Sequence, residues 1–178
     1  GDRNTGAVFT VTASDVTING FEIKNPEGLI GVKIASGADG TEVLHNEIRD
    51  LGPTERLGVS GIATDPGSFE GIRIVGNTIE NLQQELGEAS QSRPTVNGIL
   101  FDAVSGSDTL TDAVVRDNTI RDLRSDHAPL GIVLQQQLTN VTVADNTLAD
   151  IVASYDVDSN PDDDAQGEFT TFAQAINV

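Results

Sequence analysis

One eleven-residue phrase recurs along this chain, and it constrains the fold more than any other feature. The copies are Thr41-Glu42-Val43-Leu44-His45-Asn46-Glu47-Ile48-Arg49-Asp50-Leu51, Ile72-Arg73-Ile74-Val75-Gly76-Asn77-Thr78-Ile79-Glu80-Asn81-Leu82, Ala113-Val114-Val115-Arg116-Asp117-Asn118-Thr119-Ile120-Arg121-Asp122-Leu123 and Val141-Thr142-Val143-Ala144-Asp145-Asn146-Thr147-Leu148-Ala149-Asp150-Ile151. An earlier copy starts at Val16 and carries Phe21 in the Asn column. A second phrase leads each copy: Val8-Phe9-Thr10-Val11, Gly31-Val32-Lys33-Ile34, Gly61-Ile62-Ala63-Thr64, Gly98-Ile99-Leu100-Phe101, Gly131-Ile132-Val133-Leu134 and finally Ala175-Ile176-Asn177-Val178. The leading residues 31, 61, 98, 131 and 175 are separated by 30, 37, 33 and 44 positions, so constant strands are joined by variable loops.

Within each phrase apolar and polar residues alternate, as a strand with one buried face requires. A single copy cannot bury its own inner face, so successive copies must stack at about 4.8 Å. Stacking gathers Val43, Ile74, Val115 and Val143 into one column, Ile48, Ile79, Ile120 and Leu148 into a second, and Val32, Ile62, Ile99 and Ile132 into a third. Three inward columns predict an all-β solenoid, a right-handed parallel β-helix of about five coils with three parallel sheets. Asn46, Asn77, Asn118 and Asn146 fall between two strands of each coil. Asn suits the left-handed conformation of a sharp bend, and its amide can bond the same amide one coil on, so a structural Asn ladder is expected.

The pattern Gly-Ile-x-Ile followed by Val-x-Ile-x-x-Asn-x-Ile-x-Asp resembles the pectate-lyase-like β-helix superfamily. Within it the chain is similar to the carbohydrate-binding and sugar-hydrolase repeats and to the NosD-like repeats of secreted archaeal proteins. The resemblance covers nearly the whole chain and implies one β-helix domain over 1–178. It is specific for fold and weak for function, because the superfamily includes lyases, glycosidases, epimerases, tailspikes and adhesins. Solenoid ends need caps, and no amphipathic capping helix is legible at either terminus. The expectation is a piece of a longer protein, or ends covered by partners, including self-association through the open ends.

The charge balance narrows the partners. Eighteen Asp and ten Glu stand against eight Arg and two Lys, a net charge of −18. Disorder is one meaning of such acidity, but here the acids alternate with regularly spaced aliphatics. The alternative is a surface kept hydrated in concentrated salt, and the Asp-rich, Lys-poor bias resembles proteins of extreme halophiles. Nucleic acid and anionic membranes would be repelled. No apolar run approaches the roughly 20 residues of a membrane span, so membrane insertion is not expected. The chain has no cysteine, which excludes disulfides and thiolate metal sites.

Several residue groups carry candidate chemistry. Asp156, Asp158, Asn160, Asp162 and Asp164 place oxygens at alternate positions, as in a calcium loop, although Pro161 stands where such a loop wants Gly and Glu168 falls one position late. The competing account is a solvated acidic loop. No cofactor is required by the sequence; Ca2+ is the one candidate. Asp65 and Asp102 both follow the leading strand in neighbouring coils. Stacked, they would pair two carboxylates for acid/base catalysis, unless diverging turns separate them. Lys24, Arg49 and Arg121 share an outward row with Glu80. They form a candidate carbohydrate-binding strip for an acidic glycan, or else ion pairs between coils. His45 and His127 lack metal-ligand partners at diagnostic spacing. Asn140-Val141-Thr142 is a glycosylation sequon, with Asn140 the acceptor if the protein is exported.

Superfamily resemblance implies that an active site would lie on the outer face of the leading strands. The outward residues there are Thr10, Lys33, Ala63, Leu100, Val133 and Asn177, with no carboxylate among them. Ala63, Leu100 and Val133 form an apolar stripe that the loops Gln83–Val96 and Val152–Ala173, or a partner, would cover. Gly-His-Gly and Arg-x-Lys signatures of polygalacturonases are absent. The leading expectation is an extracellular or cell-surface module that binds a polysaccharide or glycan in a halophile. Alternatives are a polysaccharide lyase or glycoside hydrolase, and a structural stalk, adhesin or tailspike-like module.

Overall fold

The computed structural model describes residues 6–26, 28–52, 58–84, 95–125, 128–153 and 174–177. Among them there is no helix, and every strand pairing is parallel. Each tier of the chain opens with a leading strand: β1 (Ala7–Val11), β4 (Ile30–Ile34), β7 (Val59–Thr64), β11 (Thr95–Phe101), β15 (Ala128–Leu134) and β19 (Gln174–Asn177). The first half of the eleven-residue phrase forms β2 (Thr17–Asn19), β5 (Glu42–Leu44), β9 (Arg73–Val75), β13 (Val114–Arg116) and β17 (Thr142–Ala144). Its second half forms β3 (Glu22–Asn25), β6 (Glu47–Leu51), β10 (Thr78–Gln84), β14 (Thr119–Ser125) and β18 (Thr147–Ala153). Each group is one parallel sheet whose order follows the tiers.

The aliphatic columns read from the repeat are the columns of the structure. Val43 pairs Ile74, Ile74 pairs Val115 and Val115 pairs Val143. Ile48, Ile79, Ile120 and Leu148 are in register, as are Val32, Ile62, Ile99 and Ile132. From Val32 to Ile120 these side chains are at most 1% exposed and belong to one continuous core. Their mutual burial supplies the main drive for stacking.

The described residues form four sheets, not the three expected. The fourth consists of β8 (Phe69–Glu70), β12 (Thr109–Thr111) and β16 (Gln137–Thr139). Its inward residues are Phe69 and Leu110, both buried, with Leu138 at the edge of the stack. Counting back from the next corner, Ala13 and Ala38 hold the same place in the first two tiers, where no strand forms. A strand of two or three residues with one apolar side chain leaves no alternation to detect, and Ala in two of five tiers hides the column.

The leading glycines follow from the narrow core. A Cβ on Gly61 would lie 2.6 Å from Ile79 Cγ2 and 2.7 Å from the Gly98 carbonyl oxygen. At Gly98 the same atom would meet Ile120 Cγ2 and the Gly131 carbonyl oxygen, each at 2.6 Å. The isoleucine column of one sheet therefore fills the space that a side chain on the leading strand would occupy.

Candidate functional site

The Asn column has the clearest geometry. Asn46 Nδ2 donates to Asn77 Oδ1 at 3.0 Å, and the Asn46 backbone N–H donates to the same oxygen at 2.9 Å. Asn77 repeats both bonds to Asn118 at 3.0 and 2.9 Å, and Asn118 repeats them to Asn146 at 2.9 and 3.0 Å. The second amide hydrogen of each goes to a backbone carbonyl, of Ile18, Val43, Ile74 and Val115 in turn. At the first tier Phe21 has no amide, but its backbone N–H still donates to Asn46 Oδ1 at 2.9 Å. Asn46, Asn77 and Asn118 are at most 2% exposed, so every donor needs its partner. This column is structural.

The expected left-handed backbone belongs to the residue before each ladder Asn, not to the Asn itself. Gly20, His45, Gly76, Asp117 and Asp145 have φ between 51° and 75°. The reason is geometric: a left-handed residue turns the corner, and the next residue then points its amide inward. Two further left-handed columns mark the other corners. One is Asp15, Gly40, Gly71, Asp112 and Asn140; the other is Asp50, Asn81, Asp122 and Asp150. Their signal in the sequence is an Asp, Asn or Gly directly before each phrase for the first column, and the Asp or Asn that recurs near its end for the second. Asn140, the sequon residue, is exposed, sits at such a corner and donates from Nδ2 to Asp112 Oδ1.

The carboxylates of Asp65 and Asp102 have different partners. Asp65 Oδ1 accepts an ion pair from Lys33 Nζ at 2.7 Å, one tier back. Asp102 Oδ1 accepts from the Ala103 backbone N–H at 2.9 Å, folding the carboxylate onto its own turn. Gln136, one tier on, donates from Nε2 to the carbonyl oxygens of Asp102 and Gly67 at 2.8 and 3.0 Å. The turns after three successive leading strands are thus tied by an amide, while among the described residues no hydrogen bond or ion pair joins the two carboxylates.

The row of Lys24, Arg49, Glu80 and Arg121 is in register as expected. Its cations are engaged. Arg49 contacts Glu22, and also Glu47 at 2.9 Å and Asp50 at 2.7 Å. Lys24 lies 3.5 Å from Glu22, and Arg121 pairs with Glu80. The hydrogen bond from Arg49, with Lys24 nearby, holds the Glu22 carboxyl below its usual range, and Glu22 in turn raises Arg49. An acidic glycan on this row would have to displace carboxylates already in place.

The outer face of the leading sheet is the remaining candidate. Thr10, Lys33, Ala63, Leu100, Val133 and Asn177 are in register across six strands. Ala63 is 4% and Val133 1% exposed, yet neither belongs to the core cluster. In the neighbouring row Ser60 and Asn97 are buried, and Asn97 Nδ2 donates to Ser60 Oγ at 3.3 Å and Thr95 Oγ1 at 3.1 Å. The apolar stripe read from the sequence is therefore covered at Ala63 and Val133, beside a small polar network, with the Lys33–Asp65 pair at its margin.

His45 is exposed, and its ring lies where a side chain on Gly76 would stand. The five candidate calcium ligands, Asp156, Asp158, Asn160, Asp162 and Asp164, and His127 lie outside the described residues. Among the described residues no three His, Cys, Asp or Glu side chains cluster as a metal site, and no helix is long and apolar enough to cross a membrane. No family model, curated protein or solved structure matches the chain.

Proposed function

We propose that this chain is a right-handed parallel β-helix module of the pectate-lyase-like type that binds a glycan outside the cell, in a salt-rich setting. The supporting observation is the cross-tier register: outward residues of successive strands line up in rows at the spacing of parallel strands, about 4.8 Å. Periodic rows suit an extended repeating polymer. A neutral glycan fits better than an acidic one. The basic row is already neutralised, whereas Thr109, Thr111, Gln137 and Thr139 are uncharged hydrogen-bonding side chains on two adjacent strands, with Glu70 next in the Thr111 row.

A glycan array probed in molar salt tests this reading. Binding to one neutral polysaccharide, weakened by Gln137→Ala/Thr139→Ala, is the expected result; no binding to any polysaccharide removes it. The enzyme alternative draws no support from Asp65 and Asp102, whose partners differ. Release of reducing ends or unsaturated products from uronate polymers, lost in Asp65→Asn/Asp102→Asn, would reinstate it. The 156–164 segment is proposed as a calcium loop, and calorimetric titration with Ca2+ showing no heat would exclude it.

A further inference from the structure

We propose that the outer face of the sheet formed by β2, β5, β9, β13 and β17 docks an extended acidic segment of a partner protein, and that Arg73 and Arg116 take alternate carboxylates of that segment. This face lies on a different sheet from the threonine and glutamine side chains proposed for the glycan and does not depend on that reading. Its outward residues stand in two rows. One is Thr17, Glu42, Arg73, Val114 and Thr142; the other is Asn19, Leu44, Val75, Arg116 and Ala144. On a chain of net charge −18, these side chains hold two cations against one anion, a local net of +1.

Both arginines are anchored at one nitrogen and open at the others. Arg73 Nε lies 3.0 Å from Glu42 Oε1, and Arg116 Nε lies 2.9 Å from Asp117 Oδ2. Among the described residues, Nη1 and Nη2 of both have no partner, and the two side chains are 48% and 50% exposed. Arg49, by contrast, engages all three nitrogens with Glu22, Glu47 and Asp50. Each anchored guanidinium therefore presents a two-pronged edge that matches the two oxygens of a carboxylate. Glu42 does not fill that edge, because its second oxygen accepts from Thr17 Oγ1 at 3.3 Å.

The spacing selects an extended polypeptide. Arg73 pairs Val114 and Val75 pairs Arg116, so the arginines stand at one diagonal of a four-residue patch and the valines at the other. One strand spacing and two residues of rise put the diagonal at about 8 Å. In an extended chain, side chains two residues apart face one way at about 6.6 Å, a difference that long arginine side chains take up. Carboxylates at positions i and i+2 therefore reach both arginines, whereas those at i and i+1 face opposite ways. Val75 and Val114, like Leu44 and Ala144 in the same rows, are half-buried apolar side chains. They suit the aliphatic part of a peptide and would leave sugar hydroxyls above them without a partner, so a uronate polymer is the poorer occupant.

NMR of the arginine Nε–H groups in the full chain tests the proposal. About 0.5 M NaCl brings the Debye length to a few Å, so the rest of the acidic surface no longer repels an anionic peptide. Three probes are titrated: the end-blocked peptide Thr-Asp-Val-Asp-Thr, its isomer Thr-Asp-Asp-Val-Thr, and trigalacturonate. The first peptide is expected to shift the signals of both Arg73 and Arg116. It should bind about two- to five-fold more tightly than the isomer, which is the worth of one exposed ion pair. Arg73→Gln and Arg116→Gln should each bring it down to the isomer's affinity, while unchanged backbone amide spectra elsewhere show that the fold stands. Equal binding of the two peptides would mean adventitious carboxylate contacts only and overturns the proposal. So does the absence of a shift at either arginine, or an affinity indifferent to both substitutions. Tighter binding of trigalacturonate than of the first peptide overturns the polypeptide as occupant in favour of an acidic glycan.

Discussion

Asn77 illustrates how much one side chain can hold in a stack. Its oxygen takes two donors from Asn46, and its nitrogen serves Asn118 and the Val43 carbonyl, all away from water. Asn77→Ala strands several buried groups at once, and a cost of about 3 kcal/mol is expected at 1–3 kcal/mol per unsatisfied group. Thermal denaturation checks this: a loss of less than about 1 kcal/mol would mean that water replaces the amide. The corner columns carry the opposite lesson. Asn81 donates to Asp50, whereas Asp122 is followed in the next tier by Asp150, a like charge. Asp150→Asn should copy the Asn81–Asp50 pairing and stabilise the fold by a few tenths of a kcal/mol at low salt. Glu22 bears on pH. Its folded pKa lies below the ordinary 4.5, so its contribution is present above about pH 4.5 and is lost as the pH falls through the lowered value. In acid titrations of stability, Glu22→Gln should lose less than the wild type across that interval.

The leading strand shows why its glycine cannot be exchanged. At Gly61 a methyl group meets Ile79 and a backbone carbonyl, neither able to swing away. Gly61→Ala should cost about 1–3 kcal/mol by overpacking, while Gly106→Ala, with nothing within 4 Å, should be near neutral. Equal melting temperatures for the two variants would contradict the close packing of leading strand and isoleucine column. Strands of this kind are legible because burial on one face writes period two into the sequence, and stacking writes it again in every tier. Val43, Ile74 and Val115 can be aligned from the sequence alone for that reason. The strand at Leu110 cannot, since its three residues carry one apolar side chain and Ala38 stands in its place elsewhere. What Asp65 and Asp102 bond is not legible for a related reason. Equal sequence position puts two residues in one row, but a turn of different length lets each side chain find its own partner, Lys33 for one and the Ala103 amide for the other. Backbone register is readable along a ladder, whereas the partner that a turn side chain takes is not.

Charge and stacking pull against each other across the chain. Tiers about 4.8 Å apart bring every carboxylate row close to itself, and the net charge is −18. The ion pairs that relieve this are exposed or half-exposed, as at Arg73–Glu42 and Arg116–Asp117, and each is worth little. Most of the repulsion is therefore left to the solvent. Raising the salt from about 0.1 M to 1 M shortens the Debye length from roughly 10 Å to 3 Å, below the spacing of alternate tiers. Repulsion between non-adjacent tiers is then screened out, while the few ion pairs, in direct contact, lose much less. The balance predicts a melting temperature that climbs with NaCl over this range, and climbs with KCl to the same extent, since screening does not distinguish the cations. A rise specific to one cation would instead point to discrete binding among the corner carboxylates. A fall with salt would show that the Arg49 and Arg121 pairs outweigh the repulsion around them. The comparison is sharpest in Asp150→Asn, whose gain over the wild type should shrink as salt rises if like-charge stacking at that corner is its cause.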